Sequence, residues 1–193
     1  MLEKYPALLR IWHWLTVIAV AGLYVTVALR ETVLDKKEVG AIVASKLQEF
    51  GMSLSGEQAI AVGKAVRAPM WEWHYLFGYL LAFAILVRIV AMLKGDASMP
   101  VIKVLRAKTP KDRGMALVHL GICFMLMVMT LTGLGYHFHE ALGIAKESVH
   151  WAKEVHEFFV WPLGILIVLH IGGVVMHEII TKERIISYMV GGK

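Results

Sequence analysis

The sequence predicts an all-α membrane protein, a four-transmembrane-helix bundle running up-down-up-down, with a periplasmic helical insertion between helices 1 and 2. The chain of 193 residues is 58% hydrophobic with a mean hydropathy of +0.65, which is too apolar for a soluble domain of this size. Four apolar stretches, each of about 20 residues, are long enough to cross a bilayer. They cover about 11–29, 73–93, 115–135 and 156–176.

The first stretch, IWHWLTVIAVAGLYVTVAL, is predicted to stay in the protein as a membrane anchor. It is longer than the apolar region of a signal peptide and has no small-residue cleavage site after it. His13 lies near its start, between Trp12 and Trp14, and aromatic residues are typical of a membrane–water interface. We therefore expect His13 near one face of the membrane.

The longest connection, 30–70, is predicted to form a two-helix cap. Asp35 with Glu38 is a capping pattern that opens its first helix, and Gly51 is a stop signal. One face of this helix is apolar and is made by Val39, Ile42, Val43, Leu47 and Phe50. We interpret the cap as an amphipathic lid on the bilayer, with a docking surface for a partner as the alternative.

The second helix of the cap is predicted to be short. Ser55 with Gln58 opens it, and we expect it to run through Arg67 and to end before Pro69. The second apolar stretch would then begin as a separate helix.

Later elements follow from similar local signals. His74 lies near the start of the second stretch, and Arg88 lies toward its other end. Pro100 is expected to start a short surface helix. Thr109 followed by Pro110 is a cap-and-first-turn pattern that opens the third membrane helix.

Charge predicts the orientation. The N-terminus, the second connection and the C-terminal tail, counted with Arg88, hold twelve Lys/Arg and five Asp/Glu. The other two connections, counted with Glu157, hold eight and ten. Because short cytoplasmic segments are enriched in Lys and Arg, both termini are predicted to be cytoplasmic. The basic segment 103–113 is then a membrane-surface feature, with nucleic-acid binding as the alternative for its charge, and we predict no nucleic-acid partner.

The histidines of the membrane helices fall into pairs at matched depth. His156 and His170 are 14 residues apart, which is about 21 Å along a helix axis and about 40° around it. With the predicted topology, His13 lies at the depth of His170, and His74 at the depth of His156. Ionisable residues inside a membrane are costly and usually functional. Two imidazoles from different helices at one depth suit a haem held on both sides, whereas a hydrogen-bonded core residue is the alternative for any one of them.

Three motifs carry a resemblance to a known family. They are RIWHW around His13, HxxxG from His74 to Gly78, and the pair His156 and His170 with thirteen residues between them. With these motifs in this order, the chain apart from its first connection resembles the bacterial cytochrome b561 family. That family is related to the di-haem cytochrome b subunits of nickel–iron hydrogenases. The resemblance implies that His13 and His170 ligate a cytoplasmic-side haem b, and that His74 and His156 ligate a periplasmic-side haem b.

The resemblance also implies a function. The whole chain, 1–193, would be one integral membrane cytochrome b domain of the bacterial inner membrane, with two non-covalent b haems. It would transfer electrons between a periplasmic redox partner, a cytochrome c or a hydrogenase-like enzyme, and the quinone pool. Membrane lipids would be further partners, and a homodimer is a further possibility. The first connection, 30–70, is longer than in minimal members, which leaves the periplasmic partner undetermined.

Other side chains are candidates for contacts with these groups. The candidate cations for haem propionates are Arg10, Arg67, Arg88 and Lys153. Membrane anchoring explains Arg10 and Arg88 equally well. His119 and His177 are candidates for quinone contact and proton exchange, and the alternative is an interfacial histidine facing lipid headgroups.

The sequence also limits the metal chemistry. Its one cysteine, Cys123, excludes a disulfide within the chain and an iron–sulfur cluster held by several cysteines. Any metal must therefore be held mostly by histidine. No second motif supports a zinc site built from His137, His139, His150 and Glu140.

Two other functions remain as alternatives. One is a superoxide oxidase that reduces ubiquinone, as some members of the wider family do, although the net charge of −2 on the outer connections argues against attraction of an anion. The other is a non-redox four-helix metal-binding transporter, which would be colourless.

Overall fold

The computed structural model describes residues 5–191, and this part of the protein contains α-helices and no β-strand. In chain order the helices are α1 (Ala7–Glu31), α2 (Lys36–Glu49), α3 (Gly56–Leu93), α4 (Pro100–Arg106), α5 (Pro110–His137), α6 (His150–Thr181) and α7 (Ile185–Gly191). A short 3-10 helix, Lys146–Val149, precedes α6. Helices α1, α3, α5 and α6 are long and apolar enough to cross a membrane, so the predicted all-α membrane class with four spans is confirmed.

The chain divides into two compact units. One consists of Leu15–Leu81, and the other of Met1–Trp14 together with Ala82–Lys193. The single domain over 1–193 stays a prediction, and residues 1–4 and 192–193 lie outside the described part.

In the first unit, α3 begins as predicted but does not end where we expected. The Ser55 amide donates to the Gln58 side-chain oxygen (2.8 Å), and the Gln58 amide donates to the Ser55 hydroxyl (3.3 Å). The helix then continues past Pro69, so the predicted short helix ending at Arg67 is wrong. A proline removes one helical hydrogen bond, and in a helix of 38 residues the remaining bonds outweigh that loss.

The start and stop of α2 agree with the sequence signals. The Asp35 carboxylate accepts hydrogen bonds from the amides of Lys37 (2.8 Å) and Glu38 (3.1 Å). These bonds, led by that of Glu38, hold the pKa of Asp35 below its ordinary value. After the helix, Gly51 adopts a φ of 75°, a left-handed conformation that favours glycine.

Helix α2 packs on α3 with the two backbones in contact. Gly40 is buried, and a Cβ atom there would collide with the backbone of Ala59. A Cβ atom at Gly63 would likewise collide with the backbone of Lys36. The absence of side chains at these two glycines is what allows the close approach.

The apolar face of α2 is only partly covered. Val39, Val43 and Leu47 are half-buried, whereas Ile42 and Phe50 are 62% and 75% exposed. Two of the five apolar residues of the predicted face are thus available to a surrounding surface.

In the second unit, α4 packs on α5, α5 packs on α6, and α7 contacts α6. Helix α5 starts as predicted, because the Thr109 hydroxyl accepts from the amide of Asp112 (3.1 Å) and Pro110 occupies the first turn. Helix α7 was not predicted. The indole of Trp14 donates to the Met189 carbonyl (3.2 Å), which connects α7 with the start of α1.

Large apolar side chains of the membrane helices point outward. On α6, for example, Trp161 is 80% exposed and Val168 is 69% exposed. A soluble protein rarely exposes so continuous an apolar surface. The surface instead suits contact with lipid.

Candidate functional site

His13 on α1 and His170 on α6 are neighbours within one unit, with their rings tilted to each other. Their ring centroids are 6.5 Å apart, with an interplanar angle of 57°. Two imidazoles that bind one metal from opposite sides, each with its nitrogen about 2 Å from the metal, have centroids roughly 6–6.5 Å apart. The spacing of this predicted pair therefore suits two histidines that would hold one haem between them.

His13 is enclosed by aromatic side chains. The Trp14 ring lies edge-on at 5.4 Å and the Trp12 ring at 6.4 Å, measured between centroids. Within residues 5–191, the buried Nδ1 atom of His13 has no hydrogen-bond partner. The chain therefore does not fix which nitrogen of His13 carries the proton.

A third imidazole joins this pair. The His119 ring on α5 lies edge-on to His170 with 4.8 Å between centroids, and its Nδ1 donates to the Met115 carbonyl at 2.8 Å. We predicted His119 as a quinone contact and missed its contact with His170. The signal was the depth that His119 shares with the pair in the predicted topology.

Two cations lie beside this cluster. The Arg88 guanidinium lies 4.4 Å from the centroid of the Trp12 ring and donates to the Ser98 carbonyl at 3.1 Å. The side chain of Lys103 is exposed, yet partial desolvation of its ammonium, with help from Arg88, lowers the pKa of Lys103. Both cations act electrostatically on His119, and neither forms an ion pair with a carboxylate in the described chain. This arrangement suits an anionic group such as a carboxylate.

His156 on α6 is held by α5. Its Nδ1 lies 2.8 Å from the Met129 carbonyl oxygen and 3.3 Å from the Thr132 hydroxyl. A carbonyl can only accept, so Nδ1 carries the proton and Nε2 carries the lone pair that a metal needs. Gly133 makes this approach possible, because a Cβ atom there would lie 3.0 Å from the Cε1 of His156.

His74 has the same kind of support in the other unit. The hydroxyl of Thr26, which is 3% exposed, donates to the Leu23 carbonyl (2.7 Å) and lies 2.8 Å from the Nδ1 of His74. The single hydroxyl proton is used on Leu23, so the Thr26 oxygen accepts from His74 and again leaves the lone pair on Nε2. Thr26 also borders an apolar cavity of about 350 Å³ whose walls include Trp73 and Phe77.

His74 and His156 belong to different compact units, and each is described within its own unit. Their pairing stays a prediction. Both have the Nδ1 support and the Nε2 lone pair that are typical of histidine ligands of metals.

The predicted outer cations have different surroundings. The Lys153 ammonium forms an ion pair with Glu157 at 2.9 Å. The half-buried Arg67 acts electrostatically on Asp35. On the opposite predicted side, Arg10 is half-buried in the first turn of α1.

His177 lies in a polar group near the end of α6. Its Nδ1 is 3.3 Å from the Lys111 ammonium, and its Nε2 is 3.6 Å from the Glu183 carboxylate. Such neighbours can exchange protons with the imidazole.

The histidines of the third connection do not converge. His139 donates from Nδ1 to the Tyr136 carbonyl (2.8 Å), and His150 is an exposed residue 3.4 Å from Glu154. Across residues 5–191, no group of three or more His, Cys, Asp or Glu residues is arranged to hold a metal ion. The described part thus offers no support for a zinc site.

Comparison with known proteins identifies the family. The family model described as prokaryotic cytochrome b561 matches residues 4–192. A search of curated proteins and a search of solved structures each found no match. Because the family match spans nearly the whole chain, the protein belongs to the prokaryotic cytochrome b561 family and is a multi-pass bacterial membrane protein that binds b-type haem and takes part in electron transfer.

Proposed function

We propose that the chain is a di-haem b-type cytochrome that transfers electrons across the bacterial inner membrane, between a periplasmic redox partner and the quinone pool. The main support for this proposal is the 6.5 Å separation of the centroids of the His13 and His170 rings. His13 and His170 would hold the cytoplasmic-side haem, and His74 and His156 the periplasmic-side haem. A haem iron with two imidazole ligands supplies one-electron chemistry without an open coordination position.

The cations of the chain would bind the haem propionates. On the cytoplasmic side, Arg88 and Lys103 are suited to this role because no carboxylate pairs with them among the described residues, and Arg10 is a further candidate. On the periplasmic side the candidates are Arg67 and Lys153. A cation that holds a propionate also orients the ring that carries it.

The quinone would be bound on the cytoplasmic side by His119 or His177. A quinone takes up two protons when it is reduced, so its site needs groups that exchange protons near neutral pH. The neighbours of His177, Lys111 and Glu183, support a proton path to the surface.

The surface of α2 would face the periplasm and contribute to the outer side of the protein. Its exposed Ile42 and Phe50 support a lid that rests on lipid. A cytochrome c or a hydrogenase-like enzyme docked on the same helix is the alternative occupant of that surface.

Superoxide oxidation with reduction of ubiquinone is the second candidate. It requires a positive field near the outer haem, and the ion pair of Lys153 with Glu157 reduces that field. Reduction of the haems by superoxide in the purified protein alone would favour this function over transfer from a protein partner.

The first experiment is to purify the protein in detergent and to measure haem per polypeptide by pyridine haemochromogen, with reduced-minus-oxidised spectra. We expect two low-spin b haems. Replacing His13 or His170 with Ala should remove one of them, and replacing His74 or His156 should remove the other. His150→Ala is the matched control, since its ring is exposed, and it should retain both.

One haem in the wild type would mean that one histidine pair is misassigned. A colourless protein, after expression with haem supplied, would overturn the proposal in favour of the non-redox metal-binding transporter.

A further inference from the structure

The two proposed histidine pairs differ in what their Nδ1 atoms contact. His74 donates to the buried Thr26 hydroxyl at 2.8 Å, and His156 donates to the Met129 carbonyl at 2.8 Å. The Thr132 hydroxyl, 3.3 Å away, gives His156 a second and weaker acceptor. Both proposed periplasmic-side ligands therefore have a hydrogen-bond acceptor behind them.

The cytoplasmic-side pair lacks this support. The Nδ1 of His13 is buried without an acceptor. The side chain of His170 contacts the rings of His13 and His119 and forms no hydrogen bond with the chain between residues 5 and 191. The two periplasmic-side imidazoles thus donate from Nδ1 to an acceptor, whereas the two cytoplasmic-side imidazoles form no such bond with the described chain.

A hydrogen bond from Nδ1 changes the strength of the ligand. An imidazole that donates its Nδ1 proton to an acceptor becomes more basic at Nε2. A more basic axial ligand stabilises oxidised iron, and so lowers the midpoint potential of the haem. The supported pair should therefore hold the haem of lower potential.

The charges near the two pairs should shift the midpoint potentials in the same direction as the hydrogen bonds do. Arg88 and Lys103 act on His119, which touches His170, and a nearby positive charge favours the reduced state and raises the potential. Beside His156, the cation Lys153 is neutralised by Glu157. Near His74, Arg30 lies over the Trp71 ring that contacts His74, and it pairs with Glu31 at 3.3 Å. Arg88 and Lys103 have no carboxylate partner among the described residues, so the unpaired positive charge lies beside the cytoplasmic-side pair.

We propose that the Nδ1 hydrogen bonds of His74 and His156, with Thr26 as the principal positioning residue, give the periplasmic-side haem the lower midpoint potential of the two. This inference rests on the proposed di-haem function. A lower potential on the periplasmic side favours electron transfer from the periplasmic-side haem to the cytoplasmic-side haem.

The test is a potentiometric titration of the purified holoprotein, followed by the haem absorbance. His74→Ala and His13→Ala identify which of the two waves belongs to each haem. We expect the wave that His74→Ala removes to have the lower potential in the wild type.

Threonine variants test the cause of the difference. Thr26→Val removes the acceptor for His74 at nearly constant volume, and it should raise the potential of the lower wave. Thr26→Ser keeps the hydroxyl and should leave that wave in position. Thr132→Val should raise the wave by a smaller amount, because the Met129 carbonyl still accepts from His156.

Thr130→Val is the matched control on the same helix as Thr132. Thr130 is also buried, and its hydroxyl has no hydrogen-bond partner among the described residues, so neither wave should move.

Two results would overturn the inference: a wild-type protein in which the His74-dependent wave has the higher potential, or a Thr26→Val wave that stays in place or falls. The order of the wild-type waves decides the matter even where Thr26→Val fails to fold. Fewer than two haems in the wild type would contradict the proposed function, which is a separate failure.

Discussion

The backbone of Gly133 lies close to the imidazole ring of His156. A Cβ atom at Gly133 would lie 3.0 Å from the Cε1 and 3.2 Å from the Nδ1 of His156. Both atoms belong to a ring whose position is already fixed by the Met129 carbonyl. A ring that moves aside for a side chain at position 133 therefore strains that hydrogen bond.

We expect Gly133→Val to displace His156 and to abolish or strongly reduce binding of the periplasmic-side haem, while the cytoplasmic-side haem remains. Overpacking of this kind costs about 1–3 kcal/mol. Haem per polypeptide and the reduced-minus-oxidised spectrum measure the loss. Gly135→Val is the control on the same helix, since a Cβ atom there has no neighbour within 4 Å. Equal haem content in the two variants would show that the close approach has no role in binding.

Residue-scale features differed in how far they could be predicted. Counting along helices was enough to match the depths of His13 and His170, because depth depends only on rise per residue. The support of His74 by Thr26 could not be found in this way, since the two are 48 positions apart and their contact depends on how α1 and α3 are rotated. The role of Gly133 depends on rotation in the same manner.

At the scale of elements, α2 is held to α3 by the contacts of Gly40 and Gly63. A side chain at Gly63 would collide with the backbone of Lys36, which cannot move without moving α2. We therefore expect Gly63→Leu to separate α2 from α3. Hydrogen exchange of the backbone amides of α2, followed by mass spectrometry, should then become much faster.

Gly56→Leu is the control for this change. It lies on the same helix, and a Cβ atom at Gly56 has no neighbour within 4 Å. Exchange in α2 should stay at the wild-type rate in that variant. An unchanged rate in Gly63→Leu as well would mean that the crossing of α2 and α3 is not as close as described.

Local signals predicted where elements begin better than where they end. The starts at Asp35, Ser55 and Thr109 were correct, because each depends on a side chain that bonds to an amide two or three residues away. The stop before Pro69 was wrong, because proline weakens a helix without ending it when the chain on both sides favours helix. Helix α7 had no cap signal to reveal it.

At the scale of the whole molecule, the distribution of charge predicts the orientation in the membrane. The connection between α3 and α5, with the two chain ends, carries the excess of Lys and Arg, whereas the connection that contains α2 carries equal numbers of acidic and basic residues. Translocation of basic segments is unfavourable, so the basic connections should remain in the cytoplasm.

The single native cysteine makes this prediction simple to test. In a Cys123→Ser background, Ser45→Cys introduces a thiol on the exposed side of α2, and Lys108→Cys introduces one in the exposed connection before α5. With a membrane-impermeant maleimide and intact spheroplasts, we expect the Ser45→Cys protein to be labelled and the Lys108→Cys protein to be labelled only after permeabilisation. The reverse pattern would put the termini in the periplasm. His13 and His170 would then lie on the periplasmic side, and the inferred direction of electron transfer would be reversed with them.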